Sequence, residues 1–283
     1  MRIAWACGAD FREVDADLPL LTAAVAEVGI DAETAVWDDP DVDWGSYDLV
    51  VVRSCWDYVP RREAFLAWAD SVPRLANPAG VLRWNTDKTY LRQLVEADVA
   101  VVETAWSVRS AEALPEADEW VVKPTISAGS ADTARWSDPE RAVAHSRSLL
   151  DAGRPTMVQP YVASVDTEGE TGLLLFGPTY SHAFRKGALL VDEGDPRGLP
   201  ELKEDIASRD ASPEQVAFAE RAVSVARDLV GDDLLYARVD VVTGPDGDLR
   251  LMELELTEPS FFLDHTPTGA AAFATALQGR LGA

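Results

Sequence analysis

Apolar positions over residues 1–80 switch between short continuous runs and helical stripes, the pattern of an open α/β sheet. Arg2–Cys7 reads as a strand, residues 16–28 as a helix stopped by Gly29, and residues 30–37 as a second strand. Leu49-Val50-Val51-Val52 is an unbroken apolar run of the kind buried in a parallel sheet, and residues 62–71 form the next helix. Asn85-Thr86-Asp87 reads as a helix start reaching to Ala97, with Asn85 as cap and Asp87 favoured in the first turn. Strands follow at 120–123 and 156–162, separated by a helix over 139–150 with Asp138 as cap and Pro139 at its first position. Residues 173–176 and 180–186 flank Gly177-Pro178-Thr179 and read as a hairpin. Ser212-Pro213-Glu214-Gln215 is a capping box ahead of a long amphipathic helix ending near Gly231. A last hairpin and an Ala-rich helix close the chain. The fold class is α/β plus α+β, divided at 1–80, 81–160 and 161–283.

Composition adds exclusions. A chain of 283 residues with 47% hydrophobic and 26% charged residues builds a sizeable core in one to three units. Its apolar runs are too short to cross a bilayer, and the N-terminus lacks the charged and apolar regions of a signal peptide. Two cysteines, Cys7 and Cys55, are too few for a disulfide framework or a CxxC metal site, so the cytoplasm is the expected compartment. A net charge of −24 argues against nucleic-acid and anionic-membrane partners, which need a basic face. Of the 25 basic residues only Lys88, Lys123, Lys186 and Lys203 are lysines, and three of these fall in the segments that carry chemistry.

The most informative stretch is residues 234–260. Two β-rich runs bracket Asp246-Gly247, a strong hairpin signal. A turn there sets Asp240 opposite Glu253 and Arg238 opposite Glu255, and period-two alternation puts all four on one face. Val239, Val241, Met252 and Leu254 then form the core face. Like charges directly opposed destabilise a sheet, so three carboxylates need a counter-charge. Mg²⁺, held by one or two carboxylates plus substrate phosphates, supplies it. The plain alternative is a solvated face on which Arg238 pairs with the acids.

Lys123 ends a strand and leads into Pro124–Thr133, a run of small residues around Ser127, Gly129 and Ser130 whose successive N–H groups can cradle a phosphate. The loop has neither the GxxxxGK[ST] nor the GxGxxG pattern. Lys88, in the first turn of its expected helix, can reach a phosphate as a point charge. Lys186 and Arg185 on a later strand are candidates for stabilising a transferring phosphoryl group, and His182 shares the face of Lys186.

The order of these features resembles the ATP-grasp superfamily: helix-borne Lys88, Lys123 with its loop, the strand Gln159-Pro160-Tyr161-Val162, and paired R-x-D and E-x-E strands. The resemblance covers residues 80–265 and implies an open parallel-sheet domain ahead of two α+β subdomains that clamp ATP. It implies further that Lys88 and Lys123 contact phosphates, that Gln159, Tyr161 and Val162 line the adenine site, and that Asp166 meets the ribose. Asp240, Glu253 and Glu255 would hold two Mg²⁺ ions, for which Mn²⁺ substitutes, and Arg238 would act in catalysis beside Arg185 and Lys186. Glu255 stands where many members have Asn. Within the superfamily, Arg53–Tyr58, Asn77-Pro78, Arg83–Lys88, Ser181–Lys186 and Glu253–Pro259 are similar to the ring-closing O-ureido-serine ligases of cycloserine biosynthesis, with glutathione synthetase more distant.

Ligands of open α/β sheets bind beyond the carboxyl ends of the strands, where Arg53-Ser54-Cys55-Trp56-Asp57-Tyr58 lies. Arg53 can fork a carboxylate, Asp57 can hold an ammonium, and Trp56 and Tyr58 can exclude water, with Ser54 among them. The leading expectation is an ATP-dependent ligase that activates a small carboxylate as an acyl phosphate and joins it to nitrogen, forming an amide or closing a ring. A kinase-like phosphotransferase and a nucleotide-binding regulatory module are the alternatives. Partners would be small-molecule acids and amines, with a homodimer as candidate assembly.

Overall fold

In the computed structural model, residues 1–190 and 205–282 are described; Lys203 lies outside them. The first unit runs β1 (Arg2–Cys7), α1 (Asp17–Glu27), β2 (Asp31–Val36), β3 (Leu49–Val52), α2 (Arg62–Ser71) and β4 (Leu75–Ala76). Its strands pair in parallel in the order β2-β1-β3-β4. All four residues of β3 are buried, as expected for a strand covered on both faces. Helices α3 (Ala79–Asn85) and α4 (Tyr90–Glu96) lead to a second sheet made of β5 (Ala105–Trp106), β6 (Trp120–Pro124), β7 (Ala134–Trp136) and β8 (Thr156–Pro160). Its order is β5-β8-β6-β7, all antiparallel, with α5 (Pro139–Asp151) packed on it. The remaining elements are α6 (Ser164–Thr167), β9 (Glu170–Phe176), β10 (Thr179–Lys186), β11 (Ile206–Arg209), α7 (Pro213–Val230), β12 (Tyr236–Thr243), β13 (Leu249–Glu255) and α8 (Gly269–Gly282). Here the strands form an antiparallel sheet in the order β11-β10-β9-β12-β13.

The local signals explain most boundaries. Ser212 and Gln215 close the capping box of α7, and Gly231 ends that helix in the left-handed conformation, where only glycine is unstrained. Asp138 accepts the N–H groups of Glu140 and Arg141 at the start of α5.

One core joins the first and third sheets. Trp5, Val51 and α1 pack with α8 and with Leu174, Phe176 and Tyr236 of the third sheet. The opposite face of that sheet carries Leu175, Val239, Val241 and Leu251 against α4 and α7. Tyr236 of β12 therefore faces the first sheet. Tyr236 is fully covered by it and donates its hydroxyl to the Val52 and Thr257 carbonyls. Arg238 follows on the same face, at the edge of a cleft.

Two details differ from the sequence reading. Asn85 ends α3 instead of capping α4. Its side chain donates to the Leu254 carbonyl at 2.7 Å and accepts from the Leu256 N–H at 2.8 Å, so the residue pins β13. Lys88 thus lies in the turn between the helices, with its N–H on the Thr125 carbonyl. The last hairpin has a longer turn than Asp246-Gly247 alone. Strand β12 stops at Thr243 and β13 resumes at Leu249, and the register shifts between Asp240 and Val241. The bulge absorbs the extra residue, so Asp240 still faces Glu253 and Arg238 still faces Glu255. Leu251 takes the core position opposite Val241, and Met252, expected there, lines the cleft instead.

Candidate active site

A cavity of about 460 Å³ opens where the three sheets meet. That volume lies in the range of small-molecule sites. At one end Val121, Val162, Val165 and Met252 give an apolar slot beside the Gln159–Val162 segment. In the middle are Lys88, Lys123 and the Ser127–Ser130 turn. At the other end Trp56 and Tyr58 of the first unit stand near Glu258 and Ser260.

The central turn has the backbone that anion binding needs. Gly129 and Ser130 both have positive φ, +58° and +56°, so successive N–H groups turn toward one side. Lys88 Nζ donates to the Ser127 carbonyl at 2.8 Å and stands 3.2 Å from Glu253. This ties the turn to β13. Lys123, next to last in β6, lies beside them, and burial lowers its ammonium pKa, so the site carries a desolvated cation that gains from an anionic guest.

The carboxylates are not equivalent. Arg238 grips Asp240 side-on, with Nε to Oδ1 at 2.9 Å and Nη2 to Oδ2 at 2.8 Å, and also bonds Glu255. Asp240 is only 3% exposed and is not among the cavity-lining residues, so Glu253 and Glu255 are the two of these acids that the cavity presents. The reason is electrostatic. Acids crowded on one face need a cation, and Arg238 on that face provides it. Burial would raise Glu253, but Lys88, Lys123 and Arg238 together hold it below the ordinary carboxylate range. Glu255 is pushed up by burial, with Glu253 and Asp240 adding to the effect against Arg238.

Among the described residues no three acidic, histidine or cysteine side chains converge as a ready metal cage. Glu253 and Glu255, both facing the cavity beside the phosphate-binding turn, fit a hard cation that takes its other oxygens from a nucleotide.

Of the substrate-loop residues, Trp56 and Tyr58 line the cavity, while Arg53, Ser54 and Asp57 do not. Arg53 is fully buried, 3.1 Å from Asp17 and 3.4 Å from Asp15, and donates to the Pro259 carbonyl. Asp57 accepts from Trp37 Nε1 and pairs with Arg61. Both charges pair with protein groups away from the cavity and hold loops, although among the described residues Arg53 Nε finds no partner. Arg53→Met is therefore expected to lower Tm by roughly 10 °C, because two buried acids lose their cation at a cost of about 3–5 kcal/mol. A raised KM with unchanged Tm, measured by calorimetry and steady-state kinetics, would place Arg53 back at the substrate.

Lys186 lines the cavity, but its neighbour Arg185 points to the opposite face, as alternation requires, and bonds Asp205 and the Glu168 carbonyl. His182 Nε2 donates to the Phe261 carbonyl, which leaves Nδ1 of the neutral ring to accept from the Ser181 hydroxyl, and burial lowers its pKa, so it is a packing residue. Asp166 lies outside the lining at the rim, receiving the Tyr161 hydroxyl 3.6 Å from Arg135.

Three lining acids and hydroxyls escaped the sequence reading: Glu170, Glu258 and Ser260. Burial raises Glu170 despite Lys186, and pushes Glu258 up to about 8 with Glu255 adding to it. No spacing signal marks Glu258, because it sits past the strand end on an irregular segment.

A three-sheet architecture in which two antiparallel sheets close on a lysine- and carboxylate-lined cleft beside an open parallel sheet defines an ATP-grasp enzyme. The comparisons agree. The chain is 40% identical over 285 residues, 95% of each protein, to cycloserine biosynthesis protein DcsG of Streptomyces lavendulae. Residues 3–77 match the family described as the N-terminal domain of D-cycloserine synthetase DcsG. The crystal structure of D-cycloserine synthetase DcsG superposes with a TM-score of 0.90 at 37% identity, covering 99% of this chain and 100% of that one. The ATP-grasp ligase PsnB, solved with a precursor variant, Mg and ADP, shares the fold at TM-score 0.65 and 17% identity over 99% and 98% of the two chains. The chain belongs to the DcsG family of ATP-grasp ligases, and it is an ATP-dependent enzyme forming carbon–nitrogen bonds.

Proposed function

We propose that the enzyme activates the carboxylate of a compact amino-acid derivative of the O-ureido-serine type and closes it onto a nitrogen of the same molecule. The observation that carries this is one cavity in which a nucleotide-sized slot, a cationic turn and a small aromatic-walled end meet. The aromatic-walled end suits one compact substrate, and the relationship to DcsG points to ring closure.

In this reading the adenine lies in the apolar slot against Gln159, Tyr161 and Val162, and the ribose meets the rim near Asp166. Lys88, Lys123 and the N–H groups of Ser127, Gly129 and Ser130 hold the phosphates. Glu253 and Glu255 hold magnesium, one ion or two, with Asp240 behind Arg238; an all-oxygen set also accepts manganese. Bound magnesium neutralises charge on the phosphates. The substrate carboxylate oxygen forms a bond to the γ-phosphorus as the bond to the ADP oxygen breaks. Arg238 and Lys186 offset the charge on the transferring group. The nitrogen then attacks the acyl carbon, phosphate leaves, and the nitrogen loses its proton. Trp56 and Tyr58 exclude water, which would hydrolyse the acyl phosphate. A cytoplasmic ATP pool serves this chemistry.

The test combines ATP, magnesium and O-ureido-D-serine. ADP release dependent on magnesium and on the acid, with a hydroxamate formed when hydroxylamine is added, supports the reading. ADP release with a stable phosphorylated product and no hydroxamate would make the enzyme a phosphotransferase.

A further inference from the structure

The segment after β13 is held almost residue by residue. Asn85 accepts from the Leu256 N–H and from the Thr257 hydroxyl, and Asn77 donates to the Leu256 carbonyl. Tyr236 donates to the Thr257 carbonyl, Trp56 Nε1 to the Glu258 carbonyl at 3.0 Å, and Arg53 to the Pro259 carbonyl at 3.0 Å. Asp17 receives the N–H groups of Phe261 and Leu263. A strap fixed this firmly presents its outward side chains in set positions, and those of Glu258 and Ser260 line the cavity.

Glu258 stands at the aromatic end, beyond the face carrying Glu253 and Glu255. Among the described residues no hydrogen bond or ion pair holds its carboxylate. The cations nearby are engaged: Lys88 with Glu253 and the Ser127 carbonyl, Arg238 with Asp240 and Glu255. A half-buried carboxylate among other carboxylates is costly until a cation joins it. Its wall mates are Trp56 and Tyr58, whose faces attract organic ammonium groups. A hydrated metal ion gains little from such walls.

We propose that Glu258 binds the ammonium group on the carbon next to the carboxylate being activated, and so makes the enzyme selective for α-amino acids. This rests on the ring-closing reading for the choice of probe. With the reacting carboxylate beside Arg238 and Glu255, a substituent on the adjacent carbon reaches the Glu258–Trp56 wall. Arg53 and Asp17 then act as positioning residues for that wall.

Two readouts keep the proposal separate from the reading beneath it. Occupancy is followed by the Tm shift that a probe causes in the presence of ADP and Mg²⁺, and turnover by ADP release from ATP. The probes are O-ureido-D-serine and its desamino analogue, 3-(ureidooxy)propanoate. Parent enzyme should bind the amino probe about 30-fold more tightly than the analogue, the scale of a charged hydrogen bond. Glu258→Gln should bind both alike, with KM for ATP unchanged, and Glu258→Asp should keep part of the preference. Amine-dependent occupancy without ADP release would refute ring closure and leave the role of Glu258 standing. Equal binding of both probes by the parent, or an equal loss on both in Glu258→Gln, would overturn it.

Discussion

Glu253→Gln is expected to lose on the order of 10³-fold in kcat while its Tm stays within a few degrees of the parent. Glu253 sits where the three cationic and anionic systems of the cleft meet. It faces Asp240 across the sheet, lies 3.2 Å from Lys88, and through Lys88 is linked to the Ser127 turn. Its cations hold its carboxyl below the ordinary range, whereas burial and its acidic neighbours push Glu255 up. Of the two acids that line the cavity, Glu253 is therefore the one whose negative charge its neighbours favour most. Glutamine keeps the volume and one acceptor, so packing and the Lys88 contact survive, but the charge that places metal and phosphates is gone. Stability changes little because the side chain is 27% exposed and solvent screens the pair. A near-parent kcat at saturating Mg²⁺ would remove Glu253 from the metal site.

The sequence made the pairing of Asp240 with Glu253 and of Arg238 with Glu255 legible because two independent signals pointed to one register. Asp246-Gly247 marked the turn and period-two alternation marked the faces. The bulge after Asp240 was invisible to both, since an extra residue in one strand leaves no compositional trace, and Met252 was misplaced as a result. The capping box of α7 and the buried run of β3 were legible because local physics alone decides them. Asn85 was not. An Asn before Thr-Asp suits a cap, but tertiary contacts recruited its amide for β13 instead.

Arg53 shows the harder case. A charged residue at the carboxyl end of a parallel strand has the same sequence signature whether it faces ligand or protein. Asp15 and Asp17, which decide the matter, are 38 and 36 positions away. Glu258 is the converse, a site residue on an irregular strap whose geometry is set by side chains from distant segments, such as Trp56 and Asn85. Sequence patterns find residues on regular elements; the strap is regular in its hydrogen bonding only.

Arg238→Leu is expected to be both inactive and unstable, and pairing it with Asp240→Asn is expected to restore the stability alone. Arg238 lies 7% exposed beside an Asp240 carboxylate that is 4% exposed, so removing the guanidinium strands a buried charge at about 3–5 kcal/mol. Gly172, paired with Asp240 across β9, leaves room for the Phe184 ring, which in turn lies 5.8 Å beneath the guanidinium. Neutralising Asp240 in the double variant removes the stranded charge, and most of the lost Tm should return in thermal unfolding. Activity should not return, because among the described residues that line the cavity no other arginine stands by to offset charge on a transferring phosphoryl group, and a loss on the order of 10²–10³-fold is expected to persist. Recovery of turnover together with Tm would show that Arg238 serves the sheet and not the reaction.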